Sequence, residues 1–559
     1  MSTANPAEMA QDPSQAEAAL RALQGLTVPA LIERRAREMP FRIALSACSA
    51  AGGRDRLSYA QLARAMRRVG AGLTLRQVGH GDRVAVYLGN NAGREAVLTA
   101  LGCMAIGAVV VPLNTRSAPD ELRHALELVR PVAVVTTAES AERLRSVCAV
   151  PLMLVDAHAA GAAASMAWPE PTIRSGPAEH RGTVAAQDAA CLLFTSGTTS
   201  RPKAVVHTHR SMLHAGLAMG SALGLHQDDL YQGAFPFFTS SCLNLACMST
   251  WVHGSGFVME GELGNADRLR LIESECTTVY HGVPSVLQFM LDEAERGAYD
   301  LARVRRVAYG GAAMPASAIE RMARQWPGME QIHVWGMTES GPAGAWLPPQ
   351  WLPAKAGLMG QAMPYCELQV CDAAGQPVPR GEIGELCFRG PSLAAGYFED
   401  EPATAQAFRD GWLCSGDLVA EDEDGLLLFI DRKKDVINRG GLKISSAAVE
   451  SVLLRLPGVA EAAVVAVPHP VLGDDVAACL VLAPGAVLDP QQLAAHCAQH
   501  LADYAVPRHW ISLAALPKNP MGKILKRELR EAVLAGTAAT TLLATAPQAN
   551  DKVNPQETT

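Results

Sequence analysis

Short β-branched and apolar runs alternate along this chain with stretches whose apolar positions recur every three or four residues. Arg83–Leu88 (RVAVYL), Ala108–Leu113 (AVVVPL) and Val132–Thr137 (VAVVTT) are of the first kind; AGREAVLTALGCMA and APDELRHALELV are of the second. A strand buried on both faces reads as a continuous apolar run, whereas a surface helix needs a stripe of period 3.6. The alternation therefore predicts βαβ units and a mainly parallel sheet. Ala96–Leu113 is uncharged over the length of a bilayer span. Gly107 and the β-branched run ending at Pro112 predict instead a buried helix followed by a buried strand, with no membrane span.

The pattern changes after IDRKKD. A helical stretch (SSAAVESVLLRL), two strand patterns (AEAAVVAVP, DVAACLVLAP) and a second helical stretch (PQQLAAHCAQHL) predict a small α+β domain. The fold class expected is α/β: a large N-terminal domain with mainly parallel sheets and helices, and a small mobile C-terminal α+β domain. The layout expected is a disordered leader over 1–24, the N-terminal domain over 25–431, a hinge over 432–435, a C-terminal lid over 436–535 and a flexible tail over 536–559. The charged Asp431–Asp435 stretch reads as an exposed linker, and Ala157–Gly182, rich in Ala, Gly and Pro, as a surface loop.

At 559 residues with 49% hydrophobic and 19% charged residues, the chain can bury more than one core, and its net charge of -8 offers no counter-charge to nucleic acid. Thirteen cysteines without a CxxC pair predict reduced thiols, a cytoplasmic setting and no zinc.

One loop carries candidate chemistry. In LLFTSGTTSRPK, Leu192–Lys203, hydroxyls, a glycine and a lysine follow an apolar run, a composition whose backbone amides can wrap phosphate oxygens. It is not a Walker A loop, which needs GxxxxGK[ST] before a helix; Pro202 precedes Lys203 here, and AVVHTH after it predicts a hairpin. Taken alone, such a loop is only a turn.

It is followed in order by YGGAAM (Tyr309–Met314), HVWGMTES (His333–Ser340), GWLCSGDL (Gly411–Leu418), DRKKDVINRGGLKIS and PKNPMGKILKREL (Pro517–Leu529). Together the six motifs resemble those of the adenylate-forming enzymes, the superfamily of acyl-CoA synthetases and amino-acid-adenylating domains. The resemblance implies a ligase that joins a carboxylic acid to ATP as acyl-adenylate and pyrophosphate, then to CoA as acyl-CoA and AMP, with Mg²⁺ as cofactor. Such a reaction brings two anions together, so its site must neutralise charge and fix an in-line geometry.

In the resemblance, Thr195 begins the phosphate loop, and Ser196, Gly197, Thr198, Thr199 and Lys203 lie over the ATP phosphates. Ser200 stands where the family has glycine. Trp335 packs on adenine beside Gly310, Gly311 and Ala312, and Gly336 and Met337 continue that wall. Thr338 bonds the α-phosphate, Glu339 ligates Mg²⁺, and Asp417 with Arg432 holds the ribose. Lys523 reaches in from the small domain to both the carboxylate and the α-phosphate. The hinge falls on Lys434, and rotation about it withdraws Lys523 and presents Asn438–Lys443, where Gly440, Gly441 and Leu442 border the CoA tunnel.

The acyl pocket implied is lined by Phe235–Asn244, Tyr280–Ser285 and Gly336–Met337. Within it Phe238, Thr239, Ser240, His281, Gly336 and Met337 are the expected contacts. Acetate-specific relatives carry tryptophan where Gly336 aligns, so a pocket longer than acetate is expected. Thr239 falls where many acyl-CoA synthetases have histidine and amino-acid-adenylating domains have aspartate, which argues against an amino acid. Polar lining by Thr239, Ser240, Ser241, Asn244 and His281 points to a small to medium acid that is branched, cyclic, aromatic or hydroxylated. No carrier-domain pattern is present, so CoA is the expected acceptor; an acyl-AMP ligase loading a separate carrier protein is the alternative. A homodimer is left open. PKNPMGK matches the proline, four residues, Gly-Lys pattern that protein acetyltransferases recognise in related enzymes, which implies acetylation at Lys523.

Overall fold

The computed structural model describes residues 13–156, 166–168, 183–195, 202–312, 314–518, 523–536 and 541–545. Two large sheets form the N-terminal part. The eight-stranded one runs Gly396–Tyr397, Ala204–Thr208, Ala189–Phe194, Val109–Pro112, Arg83–Tyr87, Ala133–Thr136, Leu152–Leu154, Met166–Ala167. The nine-stranded one has six parallel strands, Ile43–Cys48, Gly256–Met259, Leu230–Gly233, Val279–Gly282, Arg306–Gly310 and Glu330–Trp335, with Arg54–Ser58 antiparallel at one edge and Ala345–Leu347 and Gln361–Ala362 antiparallel at the other.

The apolar segment resolves as expected into a helix, Gly93–Ala105, and a fully buried strand, Val109–Pro112. The helix is buried on nearly every side because it is clasped against Tyr59–Leu75, where a Cβ at Gly102 would strike Val69. Burial all round, rather than a membrane, explains why it lacks a polar face. No helix among the described residues is long and apolar enough to cross a membrane.

A third, antiparallel sheet is built from Glu367–Cys371, Gly384–Arg389, Trp412–Glu421, Phe408–Arg409 and Leu427–Arg432. The smaller C-terminal domain follows, a sheet whose long hairpin Val459–His469/Gly473–Leu482 is flanked by Ser446–Leu453, Pro490–His500 and Lys526–Leu534. Trp510 and Leu480 lie in the core on one face, Cys479 and Leu529 in the core on the other.

Several local expectations are corrected. Pro13–Leu23 is a helix, not a disordered leader, because Leu23 is buried in the main core with Ala19 and Leu20 against it. Thr541–Thr545, expected to be flexible, pairs as a strand with His509–Ser512. Within the expected surface loop, Trp168 is buried and donates its Nε1–H to Thr99 Oγ1 at 2.8 Å. Asp431, expected to be exposed in the linker, is buried: its carboxylate accepts from the Ser446 backbone at 2.5 Å and the Ser446 hydroxyl at 2.9 Å. It thereby ties the last strand before the linker to the first helix after it.

Candidate active site

The parallel strands of the nine-stranded sheet all end on one side, and the segments that follow them carry the candidate chemistry. Leu230–Gly233 leads into Ala234–Phe238, Val279–Gly282 into Val283, Arg306–Gly310 into Gly311–Ala312, and Glu330–Trp335 into Gly336–Glu339. Ligands of open α/β sheets bind at the carboxyl ends of strands for this reason: the loops there converge.

The two strands expected on either side of the Thr195–Lys203 stretch pair as a hairpin. Ala189–Phe194 and Ala204–Thr208 pair with Phe194 opposite Ala204, and the Thr195 N–H donates to the Lys203 carbonyl at 2.9 Å. Ser196, Gly197, Thr198 and Thr199 lie outside the described residues. The Lys203 ammonium sits 4.8 Å from the centre of the Tyr397 ring and 3.9 Å from Asp400.

Thr338, Glu339 and Ser340 form one turn of 3₁₀ helix. His207 donates Nε2–H to the Thr338 carbonyl at 2.9 Å, and the Ser240 hydroxyl lies 3.3 Å from that of Thr338. Burial holds His207 neutral, with its pKa down to about 4. Glu339 is buried, and its Oε1 accepts from the Tyr397 hydroxyl at 2.9 Å. Burial pushes the Glu339 carboxyl up, opposed by hydrogen bonds from the backbone and Tyr397 and by the charges of Lys203 and Lys523. A buried carboxylate of this kind gains from a hard cation, so the residues fit Mg²⁺.

Trp335 stacks on Phe388 with centroids 5.1 Å apart, and Gly310 must be glycine because a Cβ would overlap the Val334 carbonyl. Gly311 has φ +80°, and both it and Ala312 are exposed. Asp417 and Arg432 lie opposite each other on adjacent strands, Arg432 Nε 3.5 Å from Asp417 Oδ1. Burial raises the Asp417 carboxyl against the pull of Arg432, Lys523 and Lys434.

Lys523 comes from the C-terminal domain to this same cluster. Its side chain keeps open surface, yet protein around the ammonium lowers its pKa to about 8; Arg432 and Lys434 push the same way, Asp417 and Asp435 the other. Lys434 stands in the turn between Leu427–Arg432 and Ile437–Arg439. Gly440 and Gly441, φ +59° and +89°, form the tip of the hairpin between Ile437–Arg439 and Leu442–Ile444, with Leu442 exposed.

In the acyl region, Ser241–Cys247 is a π-helix. Phe238 and Thr239 are half-buried just before it, and the Thr239 hydroxyl is spent on the Pro236 carbonyl at 2.7 Å. Asn244 is fully buried, and neither its Oδ1 nor its Nδ2 has a partner. His281 is buried with Nδ1 2.6 Å from the Tyr231 hydroxyl, and burial lowers its pKa to about 3, so it is neutral. Gly336 differs from expectation: a Cβ there would overlap the carbonyl of Pro342, so the missing side chain admits backbone rather than opening space for substrate.

Two features were not anticipated. Tyr397 touches both Lys203 and Glu339, and nothing in GYFED beyond an aromatic in a turn signals it. A cavity of about 360 Å³ opens beside Phe237 and Phe238, with Leu88, Asn90, Thr115 and Arg116 on its other wall.

Comparison with known proteins agrees with this geometry. The AMP-binding enzyme model matches residues 32–398, and that of the AMP-binding enzyme C-terminal domain matches 448–523. The chain is 34% identical over 498 residues to feruloyl-CoA synthase from Amycolatopsis sp, covering 89% of this chain and 97% of that one. It is 32% identical over 483 residues to the long-chain-fatty-acid–CoA ligase FadD13 of Mycobacterium tuberculosis, covering 85% and 93%. Among solved structures, o-succinylbenzoate CoA synthetase from Bacillus subtilis with its acyl-adenylate intermediate superposes with a TM-score of 0.79 at 28% identity, covering 89% and 97%. The same enzyme has been solved with ATP and magnesium ion, with a TM-score of 0.78 at 29% identity, covering 89% and 98%. The chain thus belongs to the AMP-binding enzyme family and is an AMP-forming acyl-CoA synthetase, joining a carboxylic acid to CoA with ATP and Mg²⁺.

Proposed function

We propose that the acid is of small to medium size, bears a hydroxyl or carbonyl oxygen on a ring or branch, and is ligated to free CoA. The unpaired Asn244 amide carries this reading. A buried amide without a partner costs about 1–3 kcal/mol, a cost recovered when a ligand supplies the hydrogen bonds. Asn244 lies four residues after Ser240, whose hydroxyl meets Thr338, so the two share one side of the π-helical segment about one turn apart. An acid with its carboxylate near Ser240 and Thr338 directs its body toward Asn244. The names of relatives, feruloyl-CoA synthase and indoleacetate–CoA ligase among them, suit a ring-bearing acid.

In the first half-reaction a carboxylate oxygen attacks the α-phosphorus and pyrophosphate leaves. Lys523 neutralises charge on carboxylate and α-phosphate, Thr338 donates to the α-phosphate, and Lys203 with residues 195–199 holds the outgoing phosphates. Trp335 and Gly310–Ala312 receive the adenine; Asp417 and Arg432 receive the ribose hydroxyls. Glu339 would hold Mg²⁺, which when bound supplies charge neutralisation on the phosphates. The small domain then turns about Lys434, Lys523 leaves, and Gly440–Leu442 approach the acyl carbon. The CoA sulfur attacks that carbon and AMP leaves.

The cavity beside Phe237 and Phe238 suits the entry of CoA, and its lining includes the cation of Arg116. A panel of aliphatic, aromatic and hydroxylated acids, assayed for AMP release with CoA, tests the reading. Hydroxylated or oxo acids should exceed their unsubstituted analogues by at least tenfold in kcat/KM. A preference for plain fatty acids, or turnover only with an acyl-carrier protein, would replace it.

A further inference from the structure

Three thiols lie across three adjacent strands of the antiparallel sheet: Cys371 on Glu367–Cys371, Cys387 on Gly384–Arg389 and Cys414 on Trp412–Glu421. Cys387 and Cys414 are register partners, with sulfurs 3.8 Å apart. Facing residues of antiparallel strands have Cα atoms about 4.5–5.5 Å apart, inside the roughly 4.4–6.8 Å a disulfide accepts. The strand pairing is thus compatible with a disulfide, and closing the remaining gap between the sulfurs shifts the flanking backbone.

The pair borders the strand irregularity that carries Asp417. Between Cys414 and Asp417, the Ser415 hydroxyl donates to the Leu386 carbonyl at 2.6 Å, and the Gly416 N–H donates to Glu385 Oε1 at 2.9 Å. The Asp417 N–H donates in turn to the Ser415 oxygen at 3.1 Å. Both Leu386 and Glu385 immediately precede Cys387. Drawing the sulfurs to about 2.05 Å therefore pulls on the segment that aims the Asp417 carboxylate.

We propose that Cys387 and Cys414 form a dithiol modification site, oxidised by a peroxide to a cross-strand disulfide that weakens nucleotide binding. The effect on nucleotide rests on Asp417 as the ribose residue. Cys414 is half-exposed and Cys387 buried, so oxidant enters at Cys414. Its thiolate takes one oxygen from the peroxide, giving a sulfenic acid and, from hydrogen peroxide, water after protonation. The Cys387 sulfur attacks the sulfenic sulfur; the S–OH bond breaks and the Cys387 proton departs with hydroxide as water. Two thiols and one H₂O₂ become one disulfide and two waters, the thiols losing two electrons. Burial raises the Cys387 and Cys371 thiols, which keeps them from reacting first.

The full chain is treated with hydrogen peroxide, quenched, and digested without reduction for peptide mass spectrometry, with ATP KM measured in parallel. A Cys387–Cys414 linked peptide is expected, together with a rise in ATP KM of at least threefold that dithiothreitol reverses. Cys414→Ser and Cys387→Ala should each abolish link and shift, while Cys371→Ser keeps both. Asp417→Asn, measured alongside, reports the ribose assignment separately through its own ATP KM. Absence of the linked peptide, or its formation at high occupancy without a change in ATP KM while Asp417→Asn does change it, would overturn the proposal.

Discussion

The Tyr397 hydroxyl donates to Glu339 Oε1 at 2.9 Å while the Tyr397 ring lies 4.8 Å beneath the Lys203 ammonium. One side chain thus bridges a candidate phosphate-binding lysine and a candidate Mg²⁺ ligand. A strand of two residues fixes it there, with Tyr397 opposite Val205 on the Lys203 hairpin and its N–H donating to Thr404 Oγ1 at 2.9 Å.

Tyr397→Phe should keep the ring under Lys203 and lose only the hydrogen bond to Glu339. One hydrogen bond to a charged acceptor is worth about 1.5–3 kcal/mol, so Mg·ATP affinity should fall about tenfold or more. Calorimetric titration with Mg·ATP and with ATP in chelator separates the effects: the variant should lose affinity for the first and little for the second.

Lys523 should set an alkaline limit. Its pKa of about 8 belongs to the unliganded protein, and the cation is the active form, so kcat/KM for ATP should fall tenfold per pH unit above about pH 8. Bound phosphates favour the cation and carry the limit on kcat to higher pH. Lys523→Arg, whose guanidinium stays charged, should lower the rate and remove that limb. A limb that survives the substitution belongs to another group.

Asn244→Leu should stabilise the unliganded protein, since an apolar side chain replaces two unpaired buried atoms. A gain of about 1–3 kcal/mol is expected by chemical denaturation, with at least a tenfold loss of kcat/KM on hydroxylated acids. A less stable variant would mean the amide already has its partners.

Gly336→Ala should destabilise by about 1–3 kcal/mol through overpacking against Pro342, without a new chain-length preference. Thermal unfolding and an acid series check both halves of that statement.

Residue types and spacing were enough to anticipate the hairpin strands on either side of Thr195–Lys203, the buried helix and strand of Gly93–Pro112, and the small C-terminal domain. Contacts between distant segments were not. Tyr397 meets Glu339 across 58 residues, and Cys387 meets Cys414 across 27, with no periodic signal in either case. Gly336 is ambiguous for a different reason: a glycine admits substrate or backbone equally, and only the position of Pro342 decides. The linker composition likewise concealed Asp431, which is polar because it caps Ser446 rather than because it meets water.

Lys523 should serve adenylation alone and leave the site before the thiol attacks. Lys523→Ala should abolish acid-dependent pyrophosphate exchange, by about a thousandfold for loss of a charge aligned with the reacting phosphate. The same protein, given isolated acyl-adenylate and CoA, should still form thioester within about threefold of the wild-type rate. Equal loss of both half-reactions in a folded variant would contradict the account.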